Sequence, residues 1–157
     1  MTPVANFNLF LARYSDTVKT MTRNVTIVGG GRVGRRVAEQ LSEEQNIVTL
    51  VELDPEKCEH VSPKVTRIIE GDGTDPEVLE QADLESADVV AALTNDTDVN
   101  LDICEMVHDS APGVRTILRI SRDGEEDYGH RRFVDDVVYP AAAGAAAAVD
   151  RIHRQQK

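Results

Sequence analysis

Residues 24–34 read NVTIVGGGRVG, a β-branched run ending at Val28 and then Gly29-Gly30-Gly31-Arg32-Val33-Gly34. The next stretch, residues 33–45, places Val33, Val37, Ala38 and Leu41 on one face of a helix. The glycines therefore form a GxGxxG between a strand and a helix, and that context gives each a physical task. Gly29 permits the tight turn out of the strand. Gly31 has no Cβ, so a pyrophosphate can approach the backbone. Gly34 lets the helix pack close to the sheet. The N–H groups at the helix start and its positive dipole end face the same anion. Arg32, inside the loop, is a cation suited to a β- or γ-phosphate.

Outward from this unit, short β-branched runs alternate with amphipathic stretches, the pattern of βαβ units and a parallel sheet. Strands are expected at 24–28, 47–53, 65–69, 87–93, 114–120 and 137–139. Helices are expected at 33–45, from Pro55, from Pro76 with Asp75 as N-cap, and at 96–109, 125–133 and 141–153. This predicts an α/β fold: a Rossmann-like, doubly wound, parallel six-stranded sheet with helices on both faces. Residues 23–157 form that domain, and residues 1–22 stand apart as an N-terminal extension.

Three further segments fall at the carboxyl ends of strands, where an open α/β sheet binds ligands. Glu52 ends the second strand, 18 residues after Gly34. Its carboxylate can accept hydrogen bonds from both ribose hydroxyls of an adenosine. It would repel a 2′-phosphate, which favours NAD(H), ATP, ADP or AMP over NADP(H). Asp54 is either a second ligand group or the N-cap of the helix opened by Pro55. In Glu70-Gly71-Asp72-Gly73-Thr74-Asp75, Asp72 either meets the adenine amino edge or is a solvated turn residue. In Thr94-Asn95-Asp96, the hydroxyl and amide either contact the second phosphate or distal ribose, or belong to the cap of the helix at Asp96. Arg119, ending the fifth strand, points to the same edge.

Composition narrows the classes. The chain has 157 residues, 28 Asp+Glu against 17 Lys+Arg, and a formal charge of −11. That surface repels nucleic-acid phosphates. Hydrophobic residues make up 41%, enough for a packed core. No apolar run is long enough to span a membrane, and no signal peptide opens the chain, so a cytoplasmic location is expected. Cys58 and Cys104 have no CxxC spacing, and His60, His108, His130 and His153 have no metal-ligand spacing. The only lysines are Lys19, Lys57, Lys64 and Lys157. An acid-rich, lysine-poor surface resembles that of proteins from salt-loving organisms.

The run IVGGGRVGRRVAEQL, then VELDPEKCE, then IIEGDGTDPEVLEQADLESADVVAALTNDTDVNLDICEM, resembles the TrkA-N, KTN or RCK nucleotide-binding domain of potassium-transport regulators of Trk/Ktr systems and potassium channels. The resemblance covers about residues 24–140, with Asn100 at the asparagine of its last segment. It implies a non-enzymatic regulatory domain. NAD(H) or an adenine nucleotide would bind and shift the arrangement of domain dimers, which assemble into rings that gate a membrane-embedded potassium pathway. Carried over by position, the ligand contacts are Gly29, Gly31, Arg32, Val33, Glu52, Asp72, Gly73, Thr94, Asn95 and Arg119, with Gly30 and Gly34 completing the glycine motif. The partners implied are a second copy or larger ring and a membrane transporter or channel subunit, which would hold the chain peripherally at the inner face of the membrane. The second, ligand-sensing domain of many such regulators is missing from this sequence, so gating would need a separate chain or a different readout.

Two readings compete. A small NAD-dependent oxidoreductase would need an acid/base group facing the nicotinamide; Tyr128 has Arg132, not lysine, four positions on. A structural dimer with a degenerate site would bind no nucleotide. At the ends of the chain, Phe7, Phe10, Leu11, Tyr14, Val18 and Met21 recur at helical spacing, as an amphipathic helix or as a tail before a start at Met21. The alanine-rich stretch 141–148 is either a flat dimer contact or a helix favoured by alanine propensity.

Overall fold

The structure is a computed structural model that describes residues 22–154. The periodicity of residues 1–21 lies outside the described residues. In chain order the elements are β1 (Asn24–Val28), α1 (Arg32–Glu43), β2 (Ile47–Glu52), α2 (Pro55–Glu59), β3 (Arg67–Glu70), α3 (Pro76–Gln81), β4 (Val89–Ala92), α4 (Thr97–Ser110), β5 (Arg115–Arg119), β6 (Asp136–Val138) and α5 (Pro140–His153). The six strands form one sheet in the order β3-β2-β1-β4-β5-β6, and every neighbouring pair is parallel. The order reverses between β1 and β4, the switch point of a doubly wound sheet.

The sheet is covered on both faces, which is why its strands read as continuous apolar runs. Val25 and Ile27 of β1, with Val48 and Leu50 of β2, pack with Ala38 of α1. Val28 and Val51 point the other way, into a core with Ile103, Cys104 and Val107 of α4. Aspartates start three of the helices. Asp54, Asp75 and Asp96 accept hydrogen bonds from the first-turn N–H groups of α2, α3 and α4, with Pro55 and Pro76 at first helical positions. No described helix is long and apolar enough to cross a membrane.

One expected helix is corrected. Residues 125–133 form a short 3-10 stretch, Glu126–His130. The local sequence resists a longer helix: Gly124 sits at φ +91° just before it, and Gly129 packs where a Cβ would lie 2.5 Å from a methyl of Val137. A second 3-10 turn, Leu84–Ser86, precedes β4. Residues 65–66 belong to a turn, so β3 starts two residues later than the sequence pattern implies.

Candidate functional site

Gly29 leaves β1 at φ +108°, a left-handed conformation that favours glycine, and its N–H donates to the Val51 carbonyl at 2.8 Å. A Cβ there would lie 2.8 Å from the Thr94 nitrogen, so the loops after β1 and β4 touch backbone to backbone. Gly34 packs still closer: a Cβ would lie 1.7 Å from the Gly29 carbonyl oxygen. At Gly31 a Cβ would meet nothing within 4 Å. The three glycines thus divide as the motif predicts, two holding the turn and one opening onto a cleft.

Gly31 is also the N-cap of α1, and so supplies no side-chain acceptor; the first turn of α1 contains no acidic residue. The helix starts with unsatisfied N–H donors at its positive end, unlike the aspartate-capped α2, α3 and α4. An anion in the cleft would take the place of the missing cap.

Glu52 ends β2 and is buried. One carboxylate oxygen accepts from the Gly30 N–H at 2.7 Å and the other from the Asp54 N–H at 2.7 Å. The side chain is locked against the glycine loop, and each oxygen retains a lone pair for a ligand hydroxyl. Asp54 takes the capping role. Beyond β3, Asp72 accepts from the Thr74 hydroxyl at 2.7 Å and the Thr74 N–H at 2.9 Å, which holds its carboxyl below the usual range. Gly73 packs against Val28, where a Cβ would lie 2.4 Å from a methyl.

Across the switch point, the Thr94 hydroxyl donates to the Asn100 side-chain oxygen at 2.6 Å, and the Thr94 N–H donates to the same oxygen at 3.1 Å. Asn100 is fully buried, and its amide donates to the carbonyls of Thr94 and Arg119, each at 2.9 Å. The Asn95 carbonyl accepts from the Ser121 hydroxyl at 2.8 Å. Arg119 donates to the Leu93 carbonyl at 3.3 Å, while its Nε is buried without a partner. Burial and the positive charge of Arg32 lower the Arg119 pKa. Two guanidinium groups therefore repel each other at the cleft.

These residues line one cleft of about 820 Å³ at the carboxyl ends of the strands, a size typical of small-molecule sites. Ten of the twelve residues expected at the site line it: Gly29, Gly31, Arg32, Val33, Glu52, Asp72, Gly73, Thr94, Asn95 and Arg119. Gly30 and Gly34 do not; Gly30 holds Glu52, and Gly34 lies beneath the turn. Lys57, Pro140 and Ala141 also line the cleft and went unread. The sign for Lys57 is its place one turn into the helix after Asp54; Pro140 offers none, because only the position of β6 brings it there. The family resemblance marks Asn100 but not its role, which depends on the carbonyl of Arg119 on another strand. The residues present fit an adenosine diphosphate group: an open backbone at Gly31, uncapped N–H donors, an unpartnered guanidinium nitrogen and a fixed carboxylate.

Residues 25–140 match the TrkA-N domain. The chain belongs to the TrkA-N domain family. A TrkA homolog of the Trk potassium uptake system from Pyrococcus abyssi is 38% identical over 122 residues, 74% of this chain and 54% of that protein. The chain spans about half the length of the curated relatives it matches first. Two solved structures share the TrkA-N fold seen here. The Kef CTD of Shewanella denitrificans, solved in AMP-bound form, has a TM-score of 0.70 at 20% identity, covering 84% of this chain and 83% of that one. A GsuK channel bound to NAD has a TM-score of 0.64 at 16% identity, covering 76% of this chain and 22% of that one.

Proposed function

We propose that this TrkA-N domain is a regulatory module that binds NAD(H) or an adenine nucleotide in the cleft and controls potassium transport. The diphosphate lies over Gly31 and the start of α1, between Arg32 and Arg119. Glu52 accepts from the adenosine ribose, and Asp72 lies toward the adenine. The observation that carries this reading is the uncapped start of α1 beside the unpartnered Arg119 nitrogen, a cationic place that a diphosphate neutralises. Two structures with the same fold, one solved with AMP and one with NAD, support it. Regulation follows by linkage: the ligand bridges the loops after β1 and β4, and so favours whichever dimer or ring arrangement matches that spacing. The domain works in the cytoplasm, at the inner face of the membrane, against a transporter or channel subunit.

Gly31→Ala tests the assignment cleanly. Gly31 has φ −74° and ψ −164°, which alanine adopts without strain, and its methyl would meet no protein atom. Differential scanning at high salt with NAD+, NADH, NADPH, ATP, ADP and AMP should give a stabilisation of about 2.7 kcal/mol for a ligand at about 100 times its Kd. Gly31→Ala should keep the parent's unliganded Tm and lose that stabilisation. If no nucleotide shifts the parent's Tm, the reading fails.

A further inference from the structure

Behind the glycine loop, a second hollow of about 330 Å³ opens off the cleft. It shares Gly31, Arg32 and Lys57 with the cleft and adds Arg35 and His60. Among the described residues, Arg32, Arg35 and Lys57 have no carboxylate partner. Three permanent cations thus meet in one hollow of a chain whose charge is −11. Two carboxylates, Asp54 and Glu56, also line it. Asp54 is held as a helix cap, and the balance stays positive by one charge.

We infer that this hollow is a second anion site, for a phosphate monoester next to the adenosine ribose. The inference rests on the nucleotide reading above for the neighbouring group. Position supports it. Glu52, which ends β2, marks the ribose end of a dinucleotide cleft, and Gly30, bonded to Glu52, lines the hollow. In dinucleotide folds an arginine near this point accommodates a ribose 2′-phosphate. Arg32 and Arg35 present planar guanidinium donors suited to phosphate, and Lys57 adds a point charge. The expectation that Glu52 excludes a 2′-phosphate considers that carboxylate alone. In the structure Glu52 lines the cleft but not the hollow, whose three cations stand next to the glycine that Glu52 holds. The phosphate can arrive on the dinucleotide as a 2′-phosphate or as a separate inorganic phosphate.

Calorimetric titration of the purified chain with NADH, with NADPH, and with inorganic phosphate in the presence of NADH distinguishes these sources. Arg35→Glu is the probe, because Arg35 lines the hollow but not the cleft; Arg35→Lys is its charge-preserving control. If the phosphate arrives on the ligand, the parent binds NADPH within about tenfold of NADH. Arg35→Glu then weakens NADPH by tenfold or more, leaves NADH within about twofold, and Arg35→Lys restores most of the binding. If it arrives separately, NADPH binds poorly, inorganic phosphate binds, and Arg35→Glu abolishes that phosphate binding. If Arg35→Glu alters neither NADPH relative to NADH nor inorganic phosphate, the inference is overturned. Should NADH itself fail to bind, the nucleotide reading is what fails, and the phosphate titration with and without Arg35→Glu still decides the hollow.

Discussion

Asn100 commits its whole side-chain amide to backbone. Its oxygen accepts from the Thr94 N–H and hydroxyl, and its nitrogen donates to the carbonyls of Thr94 and Arg119. It therefore positions the loop after β4 and the end of β5 together, beneath two cleft residues that it does not replace. Asn100→Asp keeps the shape and the acceptors but removes both donors, leaving two carbonyls facing a buried carboxyl group. We expect a loss of about 3 kcal/mol in urea unfolding, and weaker nucleotide binding because Thr94 and Arg119 are freed. An Asn100→Asp variant as stable as the parent would show that the amide is not what joins these loops. Gly34 sets a different limit, since a Cβ would overlap the Gly29 carbonyl oxygen. Gly34→Ala should push the glycine loop off β1, cost about 2 kcal/mol of stability, and lower nucleotide affinity with it. This separates it from Gly31→Ala, where only affinity should change. Glu52→Ala leaves the buried N–H of Gly30 and the half-buried N–H of Asp54 without their acceptor. It should cost about 1–3 kcal/mol for each group that water does not reach, measurable as a lower Tm before any ligand is added.

At the scale of elements, the sequence was readable wherever a local rule and the packing agreed. The central strands β1, β2 and β4 were legible because they are buried on both faces, so β2 reads IVTLVE without a polar alternation to confuse it, whereas the edge strands β3 and β6 are largely exposed. The starts of α2 and α3 were legible from Asp-Pro pairs whose caps do form. Residues 125–133 misled because helix-forming acidic residues open the stretch, while Gly129 is needed small against Val137 of β6, a contact that no local pattern reveals. The same logic divides the site. The glycine loop and Glu52 lie within one βαβ unit and could be read, whereas Lys57, Asn100 and the hollow behind the loop depend on contacts between units. The turn after β5 gives a pH prediction. The Thr97 hydroxyl donates to the Glu125 carboxylate at 2.7 Å, and the Ser121 and Arg122 N–H groups donate at 3.0 and 2.9 Å. The Thr97 bond foremost, then those backbone bonds, hold the Glu125 carboxyl below its ordinary range. A depressed folded pKa stabilises above the unfolded value, and that contribution disappears as pH falls through the folded one. Glu125→Gln should therefore unfold more easily than the parent at about pH 7, and the difference should shrink as pH falls below about 4. Thermal unfolding across that range checks it; a difference that stays constant or grows on acidification would remove Glu125 as the titrating group.

At the scale of the whole molecule, the charge of −11 acts on a compact domain with little internal compensation. Among the described residues two ion pairs form, Arg115 with Asp136 and Arg154 with Asp150, and both lie at the surface. Exposed pairs of this kind contribute at most about 1 kcal/mol each. Most acidic side chains of the described residues therefore stand outside any ion pair. Their repulsion extends over about 10 Å in 0.1 M salt and about 3 Å in 1 M salt, so salt should favour the compact state by weakening it. The Tm should rise steeply with KCl between about 0.1 and 1 M, as the screening length contracts from about 10 Å to about 3 Å, and flatten above that. NaCl should follow the same curve, because screening by a monovalent salt depends on ionic strength rather than on the cation. Sucrose, an uncharged solute that stabilises by exclusion from the surface, should not reproduce the steep early rise. The opposite result is equally readable. A Tm that is flat or falls over the first step in salt would mean that the acidic surface is not what limits stability, and the resemblance to salt-adapted proteins would then be one of composition alone.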